Sequence, residues 1–135
     1  MNSVLFNYAE NFNPEDIVLE HARARGVEVG ANDITVGTGV FLQQLAHLLS
    51  AQSVVEVGTG SGVGSLYLLR GMINSGTLTS IDDEIEHTRI AKMAFYEDEI
   101  EAARFRLITN PVMDVLSKLT DRAYDLVILR HDPVD

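Results

Sequence analysis

From residue 53 onward the chain alternates strictly between short apolar runs and helix-patterned segments, and no other feature restricts its fold as tightly. Val54-Val55-Glu56-Val57 is a β-branched run that ends at glycines. Val63, Leu66, Tyr67 and Leu69 then follow helical spacing. Asn74-Ser75-Gly76 turns the chain into a second strand, Thr77 to Ile81. Ile85, Ile90, Ala91, Ala94 and Phe95 make the next helix, and Phe105 to Ile108 the third strand. A third helix over 112–119 and a fourth strand over 124–129 complete the series. Strand, helix, strand at this spacing requires parallel strands joined by right-handed crossovers, a doubly wound α/β sheet. The expected fold is Rossmann-like and mostly parallel, with two helices in front of it.

Those two helices are read from residues 1–52. Asn13-Pro14-Glu15-Asp16 has the marks of a helix start, with an Asn cap, Pro at the first helical position and acids in the first turn. Ile17, Val18 and Ala22 continue it, and Gly26 would end it. Val40, Phe41, Leu42, Leu45, Ala46, Leu48 and Leu49 form a second helix with a wide apolar face. The expected organisation is one domain over 1–135, a helical segment (1–52) followed by a βαβαβαβ ligand-binding half (53–135). The string Val-Gly-Thr-Gly occurs at 36–39 and again at 57–60. Four residues of which two are glycine read as coincidence, not as a repeat.

Composition closes off several classes. With 46% apolar residues and only ten Gly and three Pro, the chain is neither disordered nor fibrous. No run reaches the ~18 apolar residues of a membrane span, and the first seven residues lack the basic stretch of a secretory signal. There is no cysteine, hence no disulfide framework and no thiolate metal site. A cytoplasmic protein with no membrane partner is the expectation. Ten basic against twenty acidic residues give a net charge of −10, which repels a phosphate backbone and argues against nucleic acid as a partner. The acids concentrated over 82–101 read as a solvated helix face, Asp82 and Asp83 excepted. The apolar fourth strand would be an aggregation-prone edge if left uncovered, so self-association, as a dimer, is expected, or further sequence beyond Asp135.

The chemistry points to the turn Glu56-Val57-Gly58-Thr59-Gly60-Ser61-Gly62-Val63-Gly64-Ser65. Glycines there let backbone amides approach a ligand, and the following helix N-terminus supplies unpaired N–H groups. The dinucleotide fingerprint fails in both registers, because Val63 or Ser65 stands at its third position. The phosphate loop is absent, since no Lys precedes Lys92. What remains is E-x-G-x-G-x-G. A carboxylate at Glu56 repels a pyrophosphate but pairs with an α-ammonium group. Asp82, directly after the second strand, is placed to accept ribose hydroxyls. An ammonium-binding acid, a glycine turn and a ribose-binding acid together describe S-adenosylmethionine.

In these motifs the chain resembles the class I S-adenosylmethionine-dependent O-methyltransferases of the catechol and caffeoyl-CoA type, in particular the small bacterial members. The resemblance runs from about Tyr8 to Asp135. It is carried by Tyr8-Ala9-Glu10 with Pro14-Glu15-Asp16, the segment 34–39, Val55 to Gly62, Gly76 to Asp82, and Tyr124-Asp125-Leu126-Val127. It implies that Ile34 packs beside the methionine part of the cofactor and that Glu56 holds its amino group. Gly58 and Thr59 would line the turn, and Gly64 or Ser65 would contact the methionine carboxylate. Asp82 would bind the ribose. Asp83, Val112 and Met113 would lie against the adenine, with Asn110 where a glycine is usual.

Two departures from the family pattern bear on chemistry. In metal-dependent members the fourth strand ends in an aspartate that ligates a divalent cation. Here Arg130 holds that place, followed by His131 and Asp132, and a guanidinium cannot ligate a cation. Asp132 or His131 could substitute as ligand, but two neighbouring residues do not make a site, so a divalent metal is not expected to be held by this stretch alone, and Arg130 becomes a candidate contact for an anionic substrate or a deprotonated oxygen. The second departure is that the family's pattern continues past Asp135 with further strands. No general base is assigned. His21, His47 and His87 fall on helices with solvent-facing or capping roles expected, while His131 lies beyond a strand end. The reaction implied is methyl transfer to a hydroxyl of a small molecule. The alternative is a degenerate or truncated module that keeps the fold for cofactor binding or association. A nicotinamide-dependent oxidoreductase is disfavoured by the failed fingerprint.

Overall fold

The structure, a computed structural model, describes residues 3–11, 14–119 and 123–130. Three helices come first: α1 (Ser3–Asn11), α2 (Ile17–Glu28) and α3 (Val36–Leu48). Then β1 (Ser53–Val57), α4 (Val63–Gly71), β2 (Thr77–Asp82) and α5 (Ile85–Glu97) alternate. A short 3₁₀ turn (Ala102–Arg104) leads into β3 (Phe105–Thr109), α6 (Val112–Leu116) and β4 (Leu126–Leu129). The four strands form one sheet in the order β3-β2-β1-β4, and every pairing is parallel. The doubly wound α/β expectation holds. None of the described helices is long and apolar enough to cross a membrane.

Burial of β1 explains the sheet. Val54 and Val55 point to opposite faces and both are fully buried, as the two-residue period of a central strand requires. On one face Val54, Leu78, Phe105, Leu107, Leu126 and Ile128 pack with the helical layer, including Leu66, Leu69, Ala91 and Phe95. On the other face a smaller cluster joins Val55, Val57 and Ile81 to Val115 of α6.

Several helix boundaries depart from the sequence reading. Among the described residues there are three helices before β1, not two, and α1 lies against α3. Helix α2 does not start at Pro14. Its cap is Asp16, whose Oδ1 accepts from Leu19 N at 3.1 Å. Pro14 and Glu15 stay outside the helix because the Glu15 carboxylate is taken by Arg23 and by the Tyr67 hydroxyl. The expected cap Asn13 lies outside the described residues. Gly26 does not end α2 either. It is a buried helical residue whose bare Cα admits Asp33 and Ser61, and the chain turns instead at Gly30, with φ +71°. Helix α3 begins four residues earlier than Val40, capped by Thr35. Helix α6 is shorter than 112–119, and β4 begins at Leu126, not Tyr124.

The register places the ligand-binding end. Glu56 is level with Ser80 and Ile128, and Val57 with Ile81 and Leu129. Just past the strand ends, Gly58 N donates to Ile81 O (2.8 Å), Arg130 N to Val57 O (3.0 Å) and Asn110 N to Asp82 O (3.1 Å). The order reverses at β1, with β2 and β3 on one side and β4 on the other. The switch-point crevice, where open α/β sheets take their ligands, therefore lies between Gly58 and Arg130.

Candidate cofactor and acceptor site

A cavity of about 330 Å³ opens at this crevice, lined by Val57, Gly58, Ile81, Asp82, Asp83, Glu84, His87, Val112 and Arg130. Of the expected site residues, Gly58, Asp82, Asp83, Val112 and Arg130 form its wall, whereas Met113 is 76% exposed and not part of it. Glu56, Thr59, Gly64 and Ser65 are buried behind it, and Ile34 reaches Gly64 from the segment before α3.

The glycine turn is held by carboxylates from three directions. Gly58, Gly60 and Gly62 have φ of +97°, +57° and +94°, a region in which side-chained residues are strained. Gly60 N donates to Asp82 Oδ2 at 3.1 Å. Ser61 donates through N to Asp33 Oδ1 (3.1 Å) and through Oγ to Asp33 Oδ2 (2.5 Å). Asp33 is brought there by Arg23, which binds both oxygens of Glu15 and also donates to Ile34 O at 2.7 Å. Neighbouring Asn32 lines a small recess with Gly58, Gly60, Asp82, His87 and Arg130.

Glu56 is the third. It is only 1% exposed, and its Oε1 accepts from Ser65 Oγ (2.5 Å) and Ser80 Oγ (2.7 Å), with Thr59 Oγ1 bonded in turn to Ser80 (2.7 Å). The sequence reading gave Glu56 no structural duty, yet it ties β1, β2 and α4 together. Burial pushes its carboxyl up to about 7, against the Ser65 and Ser80 bonds and the nearby Arg130 charge, which pull it down. Its second oxygen, Oε2, faces Gly64, where an added Cβ would sit 2.8 Å away. The absence of a side chain at Gly64 keeps that oxygen approachable.

Asp82 also has structural work. Oδ1 accepts from Glu84 N (2.9 Å), fixing the start of α5, while Oδ2 serves Gly60 N and lies 3.2 Å from His87 Nδ1. His87 is therefore not the solvent-facing helix residue expected, because it shares the cavity with Asp82. The other helical histidines stay away from the site. His21 pairs with Glu97 at 2.5 Å, and His47 is exposed. Part of the acidic 82–101 stretch is likewise paired, Asp98 accepting two bonds from Arg70.

Arg130 is half-buried. A Cβ at Gly58 would lie 3.0 Å from its Cβ, and one at Gly60 3.1 Å from its Nη1. No carboxylate of the described residues lies within 4 Å of its guanidinium. Nor do the described residues contain a cluster of three metal-ligating side chains; His131 and Asp132 lie outside them.

Sequence reasoning missed Asp33, Asn32, Ser80 and His87. Only Ser80 had a signal, as the neighbour of Asp82 at the same strand end. The others reach the crevice through a loop or a helix turn that has no periodicity of its own.

A parallel α/β sheet with a glycine turn and strand-end acids at its switch point makes this a doubly wound α/β protein with its crevice at the carboxyl ends of the strands. The chain belongs to the O-methyltransferase family, whose model matches residues 10–133. A Mycobacterium sp. (strain KMS) protein named "Putative O-methyltransferase" is 50% identical over 128 residues, covering 95% of this chain and 58% of that protein. A solved structure from Corynebacterium glutamicum superposes with a TM-score of 0.84 at 31% identity, over 92% of this chain and 59% of that one. The O-methyltransferase TomG from Streptomyces achromogenes, solved in complex with SAM, gives 0.83 at 25% identity, over 95% and 59%. The chain thus spans a little under three fifths of the length of these relatives.

Proposed function

We propose that the protein binds S-adenosylmethionine in the crevice between β1 and β4 and transfers its methyl group to a hydroxyl of a small molecule. The observation that carries this reading is the buried Glu56 with one oxygen committed to two serines and the other directed at Gly64. That oxygen suits the α-ammonium of the methionine part, with Ile34 packed beside it and Gly64 or Ser65 at its carboxylate. Gly58 and Thr59 shape the turn, Asp82 takes the ribose hydroxyls, and Asp83 and Val112 lie on the adenine side. When bound, the cofactor supplies an electrophilic methyl group. The chain's own residues then serve to orient the acceptor oxygen and exclude water, with Arg130 on the acceptor side.

The residues at the strand end do not fit a divalent metal, since Arg130 brings a fixed positive charge to the place where a ligand would be needed. No step is routed through one. Cover of the β4 side, by a second copy in a homodimer or by further sequence, is also proposed, because Val127 and Leu129 are 50% and 66% exposed there, and a cytoplasmic location accompanies it. Glu56→Ala and Asp82→Ala are expected to abolish measurable binding of S-adenosylhomocysteine while keeping the far-ultraviolet circular dichroism of the parent. Folded variants with near-parental affinity would remove these residues from the site. Sedimentation equilibrium checks the dimer, which a concentration-independent monomer would refute.

A further inference from the structure

Resting on that reading, we infer that the acceptor enters as an oxyanion held by Arg130, so that the reaction needs neither a metal nor a general base. Each buried or half-buried carboxylate around the crevice already has donors, while Asp83 and Glu84 are exposed at the cavity rim. Asp33 holds the amide and hydroxyl of Ser61, Asp82 holds the amides of Gly60 and Glu84, and Glu56 holds the hydroxyls of Ser65 and Ser80. Among the described residues lining the crevice, the one guanidinium is Arg130, whose side-chain donors are unspent; it is half-buried at the switch point and lines both the cavity of about 330 Å³ and the recess beside Gly60. A guanidinium keeps its charge at every working pH, and its planar donors match an oxygen anion. The bare Cα atoms of Gly58 and Gly60 leave room for it beside the turn.

The consequence concerns the class of acceptor. A bound sulfonium adds a second positive charge beside Arg130, and these two charges at the acceptor oxygen must outweigh the Asp82, Asp83 and Glu84 carboxylates of the same wall for an acidic phenol to ionise more readily there than in water. The oxyanion's electron pair forms the O–CH₃ bond as the S–CH₃ bond breaks and leaves its pair on sulfur. A methyl ether and a thioether result, and no proton remains to be removed. Phenols that are anions near neutral pH are the class selected, over neutral catechols that need a cation to acidify them.

The test uses 4-nitrophenol, whose anion absorbs visible light, titrated into the protein saturated with S-adenosylhomocysteine, with magnesium or with EDTA. Bound probe is expected to be the coloured anion at a pH where free probe is partly neutral, equally in both buffers. Arg130→Gln should weaken probe binding at least tenfold, with partial recovery in Arg130→Lys and unchanged affinity for S-adenosylhomocysteine. With S-adenosylmethionine in its place, the probe should be methylated in EDTA. Binding of the neutral phenol, a requirement for magnesium, or unchanged probe affinity in Arg130→Gln would overturn the inference while leaving the cofactor reading intact. So would competition by benzoate without any binding of the phenolate. Loss of S-adenosylhomocysteine binding in Arg130→Gln would reassign Arg130 to the cofactor. Failure of the parent to bind S-adenosylhomocysteine would remove both readings.

Discussion

The same four residues, Val-Gly-Thr-Gly, take two unrelated structures in this molecule. At 36–39 they are the first turn of α3, with Thr35 as cap and Gly39 N bonded to Thr35 O at 2.9 Å. At 57–60 they end β1 and make a turn in which both glycines have positive φ. The difference comes from what flanks them. Thr35 and the apolar spacing of Val40, Leu42 and Ala46 propagate a helix, whereas Val54-Val55 drives the second copy into the sheet centre. The glycines serve different ends too. Gly39 gives room to a neighbour, as a Cβ there would lie 2.3 Å from the Tyr67 ring, and Gly60 gives both a backbone conformation and access. One copy is packing, the other is the proposed site.

The largest effect that should separate the two copies is on ligand affinity. Gly60→Ala forces a Cβ into φ +57°, 2.8 Å from Asp33 Oδ1 and 3.1 Å from Arg130 Nη1. Displacing the turn is expected to weaken cofactor binding by about a hundredfold, roughly 3 kcal/mol, as read by calorimetry. Gly39→Ala should do the reverse. It drives Tyr67 off its bond to Glu15 and is expected to cost about 1–3 kcal/mol of stability by overpacking, measured by urea denaturation, with cofactor affinity kept in the folded fraction. If Gly39→Ala lost binding at full stability, the division between packing and site would fail.

A smaller effect sharpens the second copy through pH. The Glu56 carboxyl is raised to about 7 by burial. A raised acid favours the folded state below the ordinary carboxylate range, and that stability is lost as pH climbs through about 7. The ligand-free protein should therefore lose stability between pH 5 and pH 7.5 from this group, and Glu56→Gln should flatten that part of the profile. Binding an ammonium needs the ionised form, so affinity should fall about fivefold from pH 7 to pH 6. The smallest effect lies in the first copy. Gly37 is exposed in α3 without positive φ, and Gly37→Ala should stabilise the protein by up to about 1 kcal/mol, visible as a higher midpoint in urea.

These contrasts also mark what a sequence discloses. The central strand was legible because burial on both faces demands a β-branched run, as at Val54-Val55, and the fourth was legible as an apolar run although only Leu126 and Ile128 pack on the core while Val127 and Leu129 stay exposed. The glycine turn with Glu56 and Asp82 was legible because positive φ and strand-end acids leave residue-type signatures. The edges of the helices were not. Asp16 and Asn13 are equally good caps in isolation, and only the capture of Glu15 by Arg23 and Tyr67 decides between them. Asp33 and His87 were invisible for the same reason, since a single polar residue reveals its role only once the fold returns it to the crevice. Helix α1 went unread in a segment where Val4, Leu5 and Tyr8 are largely exposed.

The central claim is that the turn at 57–60 is a cofactor site, and calorimetric titration of the protein with S-adenosylmethionine, and separately with NAD, each with and without magnesium, tests it most directly. Saturable one-site binding of S-adenosylmethionine alone, indifferent to magnesium, is the predicted result. Binding of NAD, or of neither ligand, would contradict it.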